Sequence, residues 1–445
     1  MTPPSPSRSR HSETSASAAG DTFLPAKIME VELTEPLPKV SFDGRYRRVW
    51  VLGRLHTEPV GRCVTPLGED GLTPDQLGTL LWRELREPIS ERFVAAGLTE
   101  PPALTGGGLE ASRDVWPSAR NRSAILADAP SISVVVCTRD RPIQLEACLK
   151  FLEQQIYPRF EVVVVDNAAT TDDVRRLVAN RAGGKVRFRY CPESRAGLSW
   201  ARNAGIAAAD SDIIAFLDDD DQPDRYWLAG IASGFAGNRH AGCVTGLILP
   251  ARLDTAAQEL FEQIGGHCKG RGFMPEKFFC NGSQSPLFPL PPFGAGANMA
   301  FRREALVSIG GFDVALGAGT ITSAGEDTLA MTLTMLSGFE IAYEPTALMW
   351  HHHRQDIEGL SRQLHGYSVG LTAFYAALIR HRPAVLPALL RLLPAGVRYL
   401  KNTTTEPEVA PGLLNGLNRR HLQGLILGPL AYADSVRKQR RATRS

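Results

Sequence analysis

The sequence predicts an α/β protein with a mostly parallel central sheet, and three observations support this fold class. Runs such as SVVVC and EVVVV are apolar at every position, which is typical of strands covered on both faces. Segments with helical spacing separate these runs, as at Leu145, Leu149 and Leu152. The runs also end in polar residues, and parallel sheets bind ligands at the carboxyl ends of their strands.

The N-terminal part precedes this pattern. Residues 1–28 are rich in Ser and Pro, and we expect a disordered tail there. Residues 29–100 predict a small α+β domain of unknown role. In it, RRVWVLGRLHTEPVGRCVTPL fits two strands, and the next helix has a capping box at Thr73 and Gln76. Residues 101–128 contain PPALTGGGLEASRD and are expected to be a linker.

The candidate catalytic domain spans residues 129–355. Its predicted strands are SISVVVC, EVVVVDN, VRFRY and DIIAFLD, in that order. Polar residues follow three of them: Thr138 follows the first, Asp166 ends the second, and a run of four aspartates, Asp218 to Asp221, ends the fourth. Because the carboxyl ends of parallel strands lie at one edge of a sheet, we expect these residues to form a ligand site.

Residues 356–445 predict a helical C-terminal region with a basic tail. Pro383, Pro387 and Pro394 divide it into short pieces. The amphipathic pieces between Leu386 and Leu400 either cover the catalytic domain, which we favour, or make peripheral contact with an anionic membrane. The sequence contains no mostly apolar stretch of about 20 residues, so we expect no transmembrane helix.

Composition limits the possible classes of function. The chain has 445 residues, of which 43% are apolar and 22% charged, as in ordinary soluble domains. A net charge of +2 gives no reason to expect a nucleic-acid partner. The seven cysteines lack metal-ligand spacing, and the N-terminus lacks the apolar core of a signal peptide. We therefore expect a cytoplasmic protein with reduced thiols.

The four aspartates require a nearby positive charge, because adjacent carboxylates repel one another. A solvated acidic loop is the plainest interpretation. A calcium loop of the EF-hand type fails, since Pro223 and Ala229 stand where Gly and Glu are needed. A phosphotransferase or phosphatase with Asp218 as nucleophile stays open. So does a divalent cation on a diphosphate, with Asp218 and Asp220 facing it because alternate residues of an extended chain share a face.

Several motifs together resemble a known family. In order they are SVVVCTRDRP, VVVVDN, GLSWARNAG, AFLDDDD, GANMAFRR, GGFD and GED. They are similar to those of inverting family 2 glycosyltransferases, which have the GT-A nucleotide-sugar-binding fold. The resemblance extends from about Ser131 to Arg354, and it lies in the order and spacing of the motifs. It says little about the N-terminal domain or the helical region.

The resemblance implies a reaction and its partners. The donor would be a nucleotide sugar, with UDP as the expected carrier, and Mn²⁺ or Mg²⁺ would be the cofactor. The acceptor would be a hydroxyl of a glycan, a lipid-linked molecule or a small metabolite. Asp327 would be the general base, oriented by Glu326, and Gly296 and Asn298 would lie on the acceptor side. Attack on the face opposite the leaving group would invert the anomeric carbon.

The resemblance also implies the binding residues. Asp218, Asp220 and His351 would hold the metal. The expected nucleotide-sugar pocket consists of Thr138, Arg139, Asp166, Asn167, Arg202, Asn203, Asp218 and Asp219. Packing is the alternative role for Arg202 and Asn203, and loop bracing is the alternative for Asp219. Asp221 would brace the loop or face solvent.

Residues 351–353 are three consecutive histidines at the end of the last apolar run. His351 and His353 would share a face if the strand continues, while a structural role is the alternative for each. A non-catalytic module that binds sugar nucleotides or glycans is the remaining alternative for the whole domain. Asp327 argues against it, because binding alone needs no general base.

Overall fold

The N-terminal unit is a three-stranded sheet with one long helix. The computed structural model describes residues 23–268, 270–280, 285–403 and 411–442. Strands β1 (Ala26–Glu32) and β3 (Glu58–Pro66) flank β2 (Arg48–Leu55), parallel and antiparallel to it respectively. Helix α1 (Pro74–Ala95) begins with the predicted capping box at Thr73. The two strands and the helix predicted for this unit are therefore confirmed.

Two boundaries of this unit differ from those expected. Strand β1 begins at Ala26, within the segment expected to be a tail, and residues 1–22 lie outside the described part. The expected linker contains a short 3₁₀ turn (Arg113–Val115) and helix α2 (Pro117–Ala127). Trp116 is buried and packs edge-on against Phe93, with ring centroids 5.4 Å apart. Because this large side chain is anchored in the core, the segment is part of the folded unit.

Four parallel strands form one half of the central sheet, as predicted. They are β4 (Ile132–Thr138), β5 (Phe160–Asn167), β6 (Arg187–Glu193) and β7 (Ile213–Asp218), in the spatial order β7-β4-β5-β6. Helices α3 (Pro142–Glu153), α4 (Asp173–Ala179) and α5 (Leu198–Ala208) connect them. Helix α5 packs closely on β4 because Gly205 has no side chain; a Cβ there would lie 2.3 Å from Val135.

The other half of the sheet contains antiparallel pairs. Its strands are β8 (Asp221–Pro223), β9 (Ala241–Pro250), β10 (Glu276–Phe278), β11 (Asn298–Arg302) and β12 (Glu340–His351). Its helices are α6 (Trp227–Phe235), α7 (Ala256–Gln263), α8 (Arg303–Ile309) and α9 (Glu326–Leu336). Strand β11 is antiparallel to both β7 and β9, so the nine-stranded sheet is mixed. Strand β8 pairs with β12, which places Asp221 opposite His351.

The C-terminal region is helical, as predicted. It consists of α10 (Ile357–His381), α11 (Leu386–Thr403) and α12 (Pro411–Ala442). The hydroxyl of Tyr432 in α12 donates to Asp313 at 2.6 Å and fastens this helix to the sheet domain. In the part of the chain that the structure describes, every helix is too short or too polar to cross a bilayer. The predicted fold class, an α/β domain between a small α+β unit and a helical region, is confirmed.

Candidate active site

The carboxyl ends of β4, β5 and β7 lie at one edge of the sheet. Asp166 at the end of β5 is the register partner of Thr138 at the end of β4. Asp218 at the end of β7 is the register partner of Cys137, also in β4. The strand ends that the sequence predicts to meet are therefore neighbours, and their side chains can act on one ligand.

The aspartate run turns between β7 and β8, at Asp219 and Asp220. Asp219 is buried and accepts hydrogen bonds from the Thr138 hydroxyl at 2.7 Å and from Arg141 at 2.5 Å. The other terminal nitrogen of Arg141 donates to Asp220 at 2.7 Å. Burial raises the pKa of Asp219 to about 6, although Thr138 and Arg141 oppose that rise. Arg141 therefore offsets the charge of two adjacent carboxylates.

Asp221 forms a buried pair with His351. Nδ1 of His351 lies 2.6 Å from Oδ1 of Asp221, whose side chain is 0% exposed. Burial lowers the pKa of His351, but attraction by Asp221, Asp220 and Asp218 outweighs burial and raises it to about 9. Burial also raises the pKa of Asp221 to about 7, although His351 opposes that rise, so the pair is ionic in the interval between the two pKa values. Oδ2 of Asp221 has no hydrogen-bond partner among the described residues.

Arg202 connects the aspartate run to α9. It is buried, and one terminal nitrogen lies 3.8 Å from Oδ1 of Asp218, whose side chain is 37% exposed. The same nitrogen donates to the carbonyl of Gly296 at 3.2 Å, and the other donates to Glu326 at 2.8 Å. One guanidinium therefore holds the end of β7, the loop before β11 and the start of α9 together.

Two acidic residues open helix α9. Oδ2 of Asp327 accepts from the backbone N–H of Gly296 at 2.7 Å, and Oδ1 accepts from the backbone N–H of Thr328 at 2.7 Å. Burial and the charge of Asp327 raise the pKa of Glu326 to about 7, against the attraction of Arg202. The helix N-terminus favours negative charge at this position. The half-buried Asp327 carboxylate is thus held at a fixed point beside Gly296.

Asp166 and Asn167 lie at the end of β5. Asp166 accepts from the Tyr190 hydroxyl at 3.0 Å, and its buried Oδ1 has no hydrogen-bond partner within the described ranges. Burial raises the pKa of Asp166, although the bond from Tyr190 opposes the rise. The amide of Asn167 bonds the backbone of Arg195 at 2.7 Å and that of Gly197 at 2.9 Å. Asp166 can accept a further hydrogen bond, while Asn167 shapes the neighbouring loop.

Comparison with known proteins identifies the domain that carries these residues. The model of the family described as "Glycosyl transferase family 2" matches residues 133–310. This part of the chain belongs to glycosyl transferase family 2. The matched segment contains Thr138, Asp166 and the aspartate run, while Asp327 and His351 lie beyond its end.

Two relatives illustrate the similarity of the family 2 domain. The probable glycosyltransferase YdaM of Bacillus subtilis is 25% identical over 233 residues, which cover 51% of this chain and 51% of that protein. The glucosyl-dolichyl phosphate glucuronosyltransferase of Haloferax volcanii is 23% identical, over 49% of this chain and 68% of that protein. The match with YdaM therefore spans only about half of that relative's length.

Among solved structures, the mannosyltransferase PcManGT of Pyrobaculum calidifontis, in complex with GDP-Man and Mn²⁺, is 19% identical with a TM-score of 0.41. That alignment covers 70% of this chain and 76% of the other. Residues 1–349 of TarS from S. aureus with UDP-GlcNAc are 17% identical with a TM-score of 0.38, over 68% and 92% of the two chains.

Two residues expected in the site, Asn298 and Asn203, use their side-chain amides to hold the fold together. The amide of Asn298 is buried; both its hydrogens donate to backbone carbonyls, of Leu247 and Ala347, and its oxygen accepts from Trp227 at 2.9 Å. Because these bonds use its amide inside the core, we reassign Asn298 from the acceptor side to sheet packing. Asn203 bonds the N–H and the carbonyl of Phe312, each at 2.9 Å, so it pins the loop after α8. For Asn203 the packing alternative holds.

Two groups of side chains at this edge of the sheet could hold a metal ion, and both contain His351. Ligand atoms of Asp220, Asp221 and His351 lie within 4.8 Å of one another, and those of His267, His351 and His353 do the same. His351 belongs to both groups, but its Nδ1 is paired with Asp221, which leaves Nε2 as the nitrogen that can bind a metal. His352 turns to Gln222 at 2.8 Å.

Two residues of the site, Arg141 and Tyr190, are not among those expected from the sequence, and the burial of a third, Asp221, is not expected either. Arg141 was passed over in favour of Arg139, which is exposed in the structure. The sequence did point to Arg141, because the aspartates required a nearby cation and the segment TRDR contains two arginines, Arg139 and Arg141. Tyr190, which bonds Asp166, carried no signal beyond its place in a strand. Asp221 was expected to face solvent or brace the loop, yet it is the most buried of the four aspartates.

Proposed function

We propose that the family 2 domain transfers a sugar from a nucleoside diphosphate sugar to an acceptor hydroxyl, with inversion at the anomeric carbon. The observation that carries this proposal is the position of Arg202. It contacts Glu326 at 2.8 Å, Gly296 at 3.2 Å and Asp218 at 3.8 Å. A base on α9 and a donor-binding aspartate on β7 therefore lie on either side of one side chain, as a transfer between two bound substrates requires.

Asp327 is the general base in this proposal. Its Oδ1 accepts from the backbone N–H and the hydroxyl of Thr328, and its Oδ2 accepts from the backbone N–H of Gly296 and keeps a lone pair for the acceptor hydroxyl. It removes the hydroxyl proton as the oxygen attacks the anomeric carbon. Glu326 stays bonded to Arg202 and orients the start of the helix. The proton passes to Oδ2 of Asp327 and then to solvent.

The aspartates fit a divalent cation. Carboxylate oxygens are the donors that Mn²⁺ and Mg²⁺ prefer, and Asp218 is exposed enough to reach a ligand. Oδ2 of buried Asp221, whose other oxygen pairs with His351, has no hydrogen-bond partner among the described residues and offers a further oxygen next to them. We assign the cation to Asp218 and Asp220, because their carboxylate oxygens suit it better than Nε2 of His351, the imidazole nitrogen that the pair with Asp221 leaves open. When bound, the cation would offset the charge that develops on the diphosphate leaving group.

The donor pocket lies at the ends of β4 and β5. The free oxygen of Asp166 would accept from an N–H group of the base, and uracil presents one at N3. Thr138 and Arg141 hold Asp219 so that Asp218 and Asp220 take their places at the turn. A UDP-linked sugar is the donor we propose first.

A lipid-linked acceptor is the class that we favour. The Haloferax relative is named for a dolichyl phosphate substrate, and a further relative from Campylobacter jejuni for an undecaprenol-linked one. The C-terminal helices expose large apolar side chains, among them Leu390, Leu393, Ile426 and Leu430. Such side chains can enter the interfacial layer of a membrane that carries the acceptor.

The substitution Asp327→Asn tests the proposed function. After a panel of nucleotide sugars with Mn²⁺ has identified the donor by hydrolysis, we expect the variant to bind it normally. Transfer should fall by roughly 10²–10⁴-fold, because the amide cannot accept the proton. Normal transfer by Asp327→Asn would refute the mechanism. A covalent phosphate-analogue adduct on Asp218 would instead support the phosphotransferase alternative.

A further inference from the structure

Three histidines meet beside the aspartate run. His351 and His353 come from the end of β12, and His267 lies in the turn after α7. Their ring centroids are 4.6 Å apart for His267 and His351, 5.6 Å for His351 and His353, and 5.7 Å for His267 and His353. One ring nitrogen from each lies within 4.8 Å of the others. Small shifts of the side chains would allow all three to bind one ion.

The cluster is shielded from solvent. His267 is 9% exposed and His353 is 5% exposed. The ring of Phe261 covers both, with centroids 5.0 Å from His267 and 4.8 Å from His353. Arg271 donates to the backbone carbonyl of His267 at 2.6 Å and holds the turn in place. A low-dielectric setting of this kind strengthens binding by ligands that are already positioned.

Two of the histidines carry a carboxylate on one ring nitrogen. Nδ1 of His351 lies 2.6 Å from Asp221, and Nε2 of His353 lies 2.9 Å from Glu262. Metal-binding histidines characteristically donate their second N–H to a carboxylate, which orients the ring and raises its basicity. The nitrogens that remain are Nε2 of His351 and Nδ1 of His353. The two carboxylates would also balance a charge of +2.

Nδ1 of His353 is the most specific feature. It is buried and has no hydrogen-bond partner in the described part of the chain. An unpaired buried polar atom costs about 1–3 kcal/mol. Plain packing of aromatic rings would explain the close contacts with Phe261, but it does not explain why Glu262 orients the ring and leaves this nitrogen unsatisfied. A metal ion at that nitrogen explains both.

We propose that His267, His351 and His353 form a second metal site, which binds a transition metal of the Zn²⁺ class. Imidazole nitrogens suit Zn²⁺, whereas the carboxylates of Asp218 and Asp220 suit Mn²⁺ or Mg²⁺. Three histidines with one open position form a known type of zinc coordination. The ion would tie the turn after α7 to the end of β12. It would also fix the ring that holds Asp221, so the site supports the aspartate run without contacting the substrate.

Metal binding tests this proposal directly and needs no donor or acceptor. Protein freed of metal with a chelator is dialysed against Zn²⁺ or Co²⁺, bound metal is measured by mass spectrometry, and Co²⁺ is also followed by its visible absorption. We expect one tightly bound ion per wild-type chain. His267→Ala and His353→Ala should lose it, while His352→Ala, the matched control from the same run, should keep it.

Two further variants separate the site from its alternatives. Glu262→Gln keeps the size of the side chain and should weaken Zn²⁺ binding by about 10–100-fold, because the carboxylate no longer supports His353. Asp220→Ala should keep Zn²⁺ and the Co²⁺ spectrum, since the ion does not use that carboxylate. If a histidine variant fails to fold, the Zn²⁺ affinity of Glu262→Gln decides whether the metal site exists. Unchanged Zn²⁺ binding by folded Glu262→Gln, loss of Zn²⁺ in Asp220→Ala, or no stoichiometric binding by the wild type would overturn the proposal.

Discussion

Two runs of identical residues face each other at the edge of the sheet, and they behave differently. In the histidine run, alternate residues act together: His351 and His353 join one cluster, and His352 turns to Gln222. In the aspartate run, adjacent residues act together, because Asp219 and Asp220 both bond Arg141.

The difference follows from the backbone. The histidine run begins at the last residue of β12, and the contacts of its side chains keep the alternation of an extended chain. The aspartate run leaves β7, turns and enters β8, so alternation stops at its second residue. The runs are joined where Asp221 lies opposite His351. Alternation therefore predicts which residues of such a run share a face only where the chain stays extended.

We expect the largest loss of stability when the pair of Asp221 and His351, which joins the two runs, is broken. Asp221→Ala leaves His351 buried with its charge uncompensated by that partner, and loss of one member of a buried ion pair costs about 3–5 kcal/mol. The free energy of unfolding, from urea denaturation at pH 7, should fall by that amount.

His352→Ala is the matched comparison, because this side chain is only partly buried and bonds Gln222. We expect a change of roughly 1 kcal/mol or less. Equal losses for the two variants would show that the ion pair does not hold the runs together.

The second prediction concerns the affinity for the nucleotide sugar, to which we expect Asp219 and Asp220 to contribute unequally. Asp220→Ala removes a proposed metal ligand, so Mn²⁺-dependent affinity for the nucleotide sugar should fall by about 10–100-fold, as for loss of one bond to a charged group. Asp219→Asn should cost less, since the amide oxygen can still accept from Arg141 and the amide nitrogen can donate to the Thr138 hydroxyl oxygen. Calorimetric titration with and without Mn²⁺ measures both. A larger loss in Asp219→Asn would reverse the roles that we assign to the two residues.

How much the sequence predicted also depends on local geometry. The parallel strands, the polar strand ends and the pairing of His351 with His353 were predictable, because each follows from a regular period of two or from burial on both faces. The roles of Asp219 and Asp221 were not, because nothing in DDDD marks the turn after its first residue. Asn298 misled for another reason: a sequence does not show that a polar amide is satisfied inside the core.

The third effect tests the cation that the protein supplies itself. Arg141→Gln leaves Asp219 and Asp220 without their shared guanidinium, and adjacent carboxylates then repel one another. We expect a loss of about 1–3 kcal/mol in stability, because Asp219 is buried, and partial recovery on adding Mn²⁺. Arg139→Gln is the control, since that side chain is exposed. Stability is measured by thermal unfolding with and without Mn²⁺. Equal losses of stability in the two variants would contradict this role of Arg141.

The last prediction concerns the pH dependence of the joined pair in metal-free protein. The pKa of His351 is raised from its ordinary 6.5 to about 9, so the folded state holds a proton that the unfolded state releases earlier. The stabilisation is therefore complete below about pH 6.5 and is lost as the pH rises through 9. The free energy of unfolding of the wild type should fall between pH 7 and pH 10 by more than that of His351→Gln, measured in urea with a chelator present. Parallel pH profiles for the two proteins would mean that His351 does not hold the proton, and the charge of the aspartate run would then have to be balanced by the arginines near it, Arg141, Arg202 and Arg354.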